Sequence, residues 1–122
     1  MYEVMIKREF ASAHNLRNYK GSCETLHGHN WKVDIIVETD RLDKIGLALD
    51  FNLLKEKTNE IIDGLDHIYL NEHEAFKDKN PSSENIAKYI FDSLKPTLDA
   101  GVKVKKVTIW ETDDAAASYR ED

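Results

Sequence analysis

The segment HGHNWKVDIIVET, residues 27–39, sets Trp31, Val33, Ile35 and Val37 at one parity and Lys32, Asp34 and Glu38 mostly at the other. Successive side chains of a strand point to opposite faces, so this run predicts a strand with one buried face. Upstream, Val4, Ile6 and Phe10 recur with a rough period of two and predict a first strand over residues 2–14, with His14 at the parity of Phe10 and Ser12. The polar stretch NLRNYKGSCETL joins the two. Downstream, TDRLDKIG carries turn chemistry in Asp40, Asp43 and Gly46, and GLALD, residues 46–50, reads as a short return strand completing a hairpin.

From Asp50, a candidate N-cap, the period becomes helical through Phe51, Leu54, Thr58, Ile61, Ile62 and Leu65, with a stop expected near Gly64. A second amphipathic helix is predicted within PSSENIAKYIFDSLKP, residues 81–96, with Ile86, Ile90 and Leu94 on one face and Pro96 ending it. VKVKKVTIWET, residues 102–112, alternates again, so the order reads strand, strand, strand, helix, helix, strand. The economical packing is an α+β layer pair, two helices on one face of an antiparallel sheet. The opposite face is expected to carry Ile36, Val107 and Ile109 among polar residues, and the sheet edges call for protection, for instance by oligomerisation.

A length of 122 residues suits a single domain, 1–122, and 41% hydrophobic with 33% charged residues suits a soluble one. The net charge of −6 argues against a nucleic-acid partner held by its phosphates. One cysteine excludes an internal disulfide and fits a reducing compartment. MYEVMIKREF lacks the apolar run of a signal peptide, and no stretch approaches the roughly 18 apolar residues of a membrane span, so the reading is cytoplasmic with no membrane.

Residues two apart on a strand lie about 6.5–7 Å apart on one face, which lets His27 and His29 converge on one ion, while Gly28 leaves the opposite face open. Catalytic zinc usually takes three protein ligands, and His14 is the third candidate, ending a strand able to pair beside the second. His67 and His73 suit the role less, and two solvated strand histidines are the plain alternative. Cys23 lies in a polar loop four residues before His27, where a thiolate serves either as a fourth zinc ligand in a closed structural site or as an uncoordinated base. Asp66 and His67 form a candidate proton relay, against the alternative of a solvated turn after a helix. Glu111 ends the row of Val107 and Ile109, an odd place for a carboxylate unless it meets paired N–H donors such as those of an aminopyrimidinone ring, or faces water.

FASAH, CETLHGHN, LDF at 49–51, LDHIYLN, NPSSEN at 80–85, and WET followed by SYR occur in this order along nearly the whole chain. The set resembles the 6-pyruvoyl tetrahydropterin synthase and 6-carboxytetrahydropterin synthase family. The resemblance implies a tunnelling fold of ββααβ-type order, a four-stranded antiparallel sheet with two helices on one face, closing into barrel-forming trimers that stack as a homohexamer. It implies zinc held by His14, His27 and His29, Cys23 as base, Asp66 and His67 as its relay, Glu111 as pterin anchor, and Ser82 and Ser83 as hydroxyls near the pterin. The C-x-x-x-H-G-H spacing is similar to that of the 6-carboxy-5,6,7,8-tetrahydropterin synthases of queuosine precursor synthesis, carbon–carbon lyases acting on 7,8-dihydroneopterin triphosphate. Arg17 or Lys20 are candidates for its triphosphate. Glu24, within the same run, is similar to the base of relatives that form 6-hydroxymethyl dihydropterin for folate, which leaves that product, a dual activity, or the 6-pyruvoyl product as alternatives. A non-enzymatic, zinc-stabilised assembly module with Cys23 as ligand is the alternative from another class. Asp113 and Asp114 depart from the small or hydroxyl residues typical after WET.

Overall fold

The computed structural model describes residues 1–122. Strand β2 (His27–Thr39) lies at the centre of the chemistry, pairing antiparallel with β1 (Tyr2–His14) on one side and β3 (Lys103–Thr112) on the other; β4 (Ala115–Tyr119) completes a four-stranded antiparallel sheet in the order β1-β2-β3-β4. Trp31, Val33, Ile35 and Val37 are all buried, as their alternation predicts. Opposite residues of paired strands share a face, so the matches Phe10 with Trp31, Ile6 with Ile35, Val33 with Ile109 and Ile35 with Val107 make one continuous apolar surface. This register corrects the expectation for β3: Val107 and Ile109 are fully buried in the core rather than set on the opposite face with Ile36.

Two helices cover that surface. Helix α1 (Phe51–Ile62) begins where the Asp50 carboxylate accepts a hydrogen bond from the Asn52 N–H at 2.8 Å, and it buries Leu54, Thr58 and Ile62. Helix α2 (Ser83–Leu94) begins at Ser82, whose hydroxyl accepts from the Asn85 N–H at 3.2 Å, and ends just before Pro96. Its apolar stripe of Ile86, Ala87, Ile90, Phe91 and Leu94 packs on β3 and β4, while α1 packs on β1. Full burial of each isoleucine, leucine or phenylalanine of that stripe contributes about 1.5–3 kcal/mol. No helix is long and apolar enough to cross a membrane.

The sequence reading fails at two elements. GLALD is not a strand, because the Asp43 carboxylate accepts from the Ile45 and Leu47 N–H groups and Asp43 N–H donates to Leu47 O, closing a local loop around Gly46 at φ 88°. The fourth strand comes instead from AAASY, reached from β3 through a turn at Asp113 and Asp114, so the order is ββααββ. Its alanines show no apolar alternation; pairing with β3 makes it a strand. The β3–β4 register slips between Trp110 and Thr112, which pair with Ala116 and Ala115 and leave Glu111 as the bulged residue.

Candidate metal centre

The β1–β2 register sets His14 opposite His27 and Ser12 opposite His29, so the three imidazoles meet beyond Trp31 on the helix-covered face. Ring centroids lie 4.6 Å apart for His14 and His27, 4.7 Å for His27 and His29, and 5.4 Å for His14 and His29. Trp31 supports them edge-on at 4.8 Å from His14 and 5.1 Å from His29, its indole N–H donating to Ser12 O at 3.1 Å.

Backbone carbonyls choose the tautomers. His14 Nδ1–H donates to Pro81 O and His27 Nδ1–H to Thr25 O, each at 2.8 Å. In a neutral imidazole that leaves a lone pair on each Nε2, and these two atoms face one another at 3.0 Å. Two acceptors in contact repel unless a proton or a cation lies between them. His29 Nε2 is buried and makes no hydrogen bond, even though Glu111 Oε1 stands 2.9 Å away, out of line for one. The same oxygen lies 3.7 Å from His14 Nε2 and 3.8 Å from His27 Nε2. These four atoms lie within 4.8 Å of one another and can hold a metal ion. Donors at about 2.0–2.1 Å around a tetrahedral ion stand roughly 3.3 Å apart, within the 2.9–3.8 Å range of the four distances just given. Burial holds the His14 pKa below the ordinary imidazole value, which favours the neutral, ligating form.

Cys23 is exposed and lies outside this group, whose fourth donor atom is a Glu111 oxygen rather than sulfur. Its loop is held by a polar network. Asn15 N–H donates to Asn71 Oδ1, Asn71 Nδ2 to Asn15 O, and Tyr69 Oη to Asn15 Oδ1. Glu24 closes the loop, its carboxylate accepting from Leu16 N–H at 3.2 Å and its N–H donating to Leu16 O at 2.9 Å. The larger concavities, of about 650 and 700 Å³, contain none of the histidines, so donor chemistry and not cavity size marks this centre.

A family model described as 6-pyruvoyl tetrahydropterin synthase matches residues 3–122. The chain belongs to the 6-pyruvoyl tetrahydropterin synthase family. It is 34% identical to a 6-carboxy-5,6,7,8-tetrahydropterin synthase of Synechocystis over 98% of this chain and 93% of that protein. It is 32% identical to a dihydroneopterin monophosphate aldolase of Pyrococcus furiosus, covering 91% of this chain and 90% of the relative. The solved 6-pyruvoyl tetrahydropterin synthase of Caenorhabditis elegans superposes with a TM-score of 0.80 at 27% identity, over 100% of this chain and 98% of that one.

The remaining positions likened to the tetrahydropterin synthase family divide between the centre and the rim. Ser83 is buried, with its hydroxyl 3.5 Å from Glu111 Oε2, and Ser82 serves as the α2 cap. Asp66 and His67 pair at 2.9 Å beside the outer edge of β1, where Ala11 N–H donates to Asp66 Oδ1 at 2.8 Å. That hydrogen bond, then the one from His67, holds the Asp66 carboxyl below the usual carboxylate range, and the His67 ring is 81% exposed. Arg17 is committed elsewhere: its guanidinium donates to Lys79 O and Asn71 O, while its backbone exchanges hydrogen bonds with the Asn80 side chain. It clamps the loop to the segment before α2, whereas the Lys20 ammonium lies over the Tyr19 ring at 5.4 Å. A Cβ at Gly28 would meet Ser12 O at an ordinary 3.8 Å, so packing within the chain does not demand glycine there. The sequence reading missed the supporting shell of Asn15, Asn71, Asn80 and the Pro81 carbonyl. Asn71 and Asn80 stand in the quoted runs LDHIYLN and NPSSEN, and polar residues there were the available signal.

Proposed function

We propose that the chain is a zinc-dependent 6-carboxy-5,6,7,8-tetrahydropterin synthase, converting 7,8-dihydroneopterin triphosphate and a water to 6-carboxytetrahydropterin, acetaldehyde and triphosphate. The observation that supports it most is a division of donors: three inward-facing imidazole nitrogens with a carboxylate oxygen, and one exposed thiol outside that set. Nitrogen donors at tetrahedral spacing favour zinc, with His14, His27 and His29 as its ligands. Bound there, zinc supplies a Lewis acid for the oxygens of the substrate side chain.

The protein groups then have separate tasks. Glu111 and Ser83 offer acceptors to the N–H groups of the pterin ring, with Ser82 beside them at the helix start. Cys23 takes a proton from the carbon side chain, and Asp66 orients His67 to carry it onward. Cys23 and His67 both face solvent in the single chain, which suits a relay completed by a neighbouring subunit of a homohexamer built from two trimers. Glu24 is the weaker base, since its carboxylate already accepts from Leu16 N–H and stands 3.9 Å from His27 Nδ1, the ring nitrogen opposite the ligating one. This reading assigns the product to queuosine precursor synthesis in the cytoplasm.

The test is incubation of zinc-loaded protein with dihydroneopterin triphosphate and mass spectrometry of the products. Acetaldehyde with 6-carboxytetrahydropterin is the expected outcome. 6-Hydroxymethyl dihydropterin would transfer the chemistry to Glu24 and folate synthesis, and an unchanged substrate would refute the proposal.

A further inference from the structure

We propose that Glu111 is a displaceable fourth ligand, closing the coordination sphere of the metal at His14, His27 and His29 until an incoming ring with adjacent N–H donors draws it away. The ring's identity rests on the tetrahydropterin reading above; the ligation rests on geometry.

Glu111 reaches the centre through the bulge in β3, a device that re-aims a side chain where regular pairing would not. Its Oε1 then faces three ring nitrogens, of which two, on His14 and His27, carry lone pairs because their other nitrogens donate to Pro81 and Thr25 carbonyls. A carboxylate gains nothing from lying against acceptors; a cation among them turns every one of those contacts favourable. Three neutral imidazoles leave the full double charge of the ion in a half-buried site, and one carboxylate halves it. Cys23 is not in reach to do so.

The second oxygen explains the release. Glu111 Oε2 has no partner beyond the Ser83 hydroxyl at 3.5 Å, too long to hold it firmly, and the side chain is 36% exposed. A ligand offering two adjacent N–H groups satisfies both oxygens at once, the bidentate arrangement a single metal bond cannot match. Seating the ring therefore withdraws Oε1 and frees a metal position for the substrate side chain, so the centre opens when its ring site is filled.

Metal-free protein titrated with Co2+ alone provides the test, because the intensity and position of the visible cobalt bands report coordination number without any turnover. Wild type is expected to give a four-coordinate spectrum that shifts when unsubstituted pterin, carrying the ring without the side chain, is added to saturation. Glu111→Gln replaces the anion by a neutral amide of the same shape; it is expected to weaken Co2+ binding about 10- to 100-fold and to show a changed spectrum that pterin leaves alone. Far-UV circular dichroism and metal-free melting, unchanged in the variant, exclude a folding defect. Equal Co2+ affinity and spectrum in wild type and Glu111→Gln would overturn the ligation, and a wild-type spectrum indifferent to pterin would overturn the displacement. A protein that passes the cobalt test yet forms no product would refute the proposed activity and leave the ligation standing.

Discussion

His27 and Cys23 are four residues apart in the chain, yet His27 takes its place from a strand register and Cys23 from a loop held by side-chain hydrogen bonds. On the strand side, pairing with His14, the Thr25 carbonyl and the Trp31 floor next to His29 all restrain the imidazoles. On the loop side, Asn18 and Lys20 adopt φ of 59° and 51°, left-handed values costly for residues with a Cβ, and Arg17 pins the loop to residues 71 and 79. The difference teaches how one short stretch can suit the two tasks proposed for it. Metal binding rewards donors fixed before the ion arrives, whereas proton transfer needs a group left free to meet substrate and a neighbouring relay.

Removing one member of each region exposes the contrast. His14→Ala deletes a buried ligand, and its metal affinity is expected to fall by more than about 100-fold in competition with a chromophoric chelator, with turnover lost alongside. Cys23→Ala should retain its metal and oligomeric state while turnover drops by roughly 10²–10⁴-fold, the usual contribution of a positioned base. Comparable metal loss in the two variants would erase the distinction and return sulfur to the coordination sphere. The smallest effect sharpens the loop side: Lys20→Gly relieves a left-handed residue and should raise stability by about 0.5–1 kcal/mol, read as a melting shift of a few degrees with metal affinity unchanged. A lower melting temperature would mean that the loop stores no such strain.

Much of this architecture was legible because its signals are local. Asp50 and Ser82 announce two helix starts, since a capping side chain needs only the N–H groups two or three residues on. The alternation in β1 and β2 marks their buried residues and brings His14, His27 and His29 to one parity. Glu111 is marked in the sequence as a carboxylate ending an apolar row, and the structure buries Val107 and Ile109 of that row. Its place among the imidazoles was not legible, because the bulge arises from how Ala115 and Ala116 pair with β3. The β4 alanines carry no pattern for the same reason, and the face taken by Val107 and Ile109 depends on their partners in β2. GLALD misled because Asp43 offers the backbone a local set of partners that outcompetes a strand ladder.

The amino-acid order by itself determined the periods of the main elements and the helix caps. It also supplied the chemical inventory: three imidazoles, one thiol and a misplaced carboxylate. Tertiary structure decided which face those periods bury, which oxygen joins the imidazoles and why the thiol stays outside. Backbone dihedrals and caps are settled among near neighbours, whereas register and bulges are settled by pairing free energies between strands as far apart in sequence as His14 and Glu111.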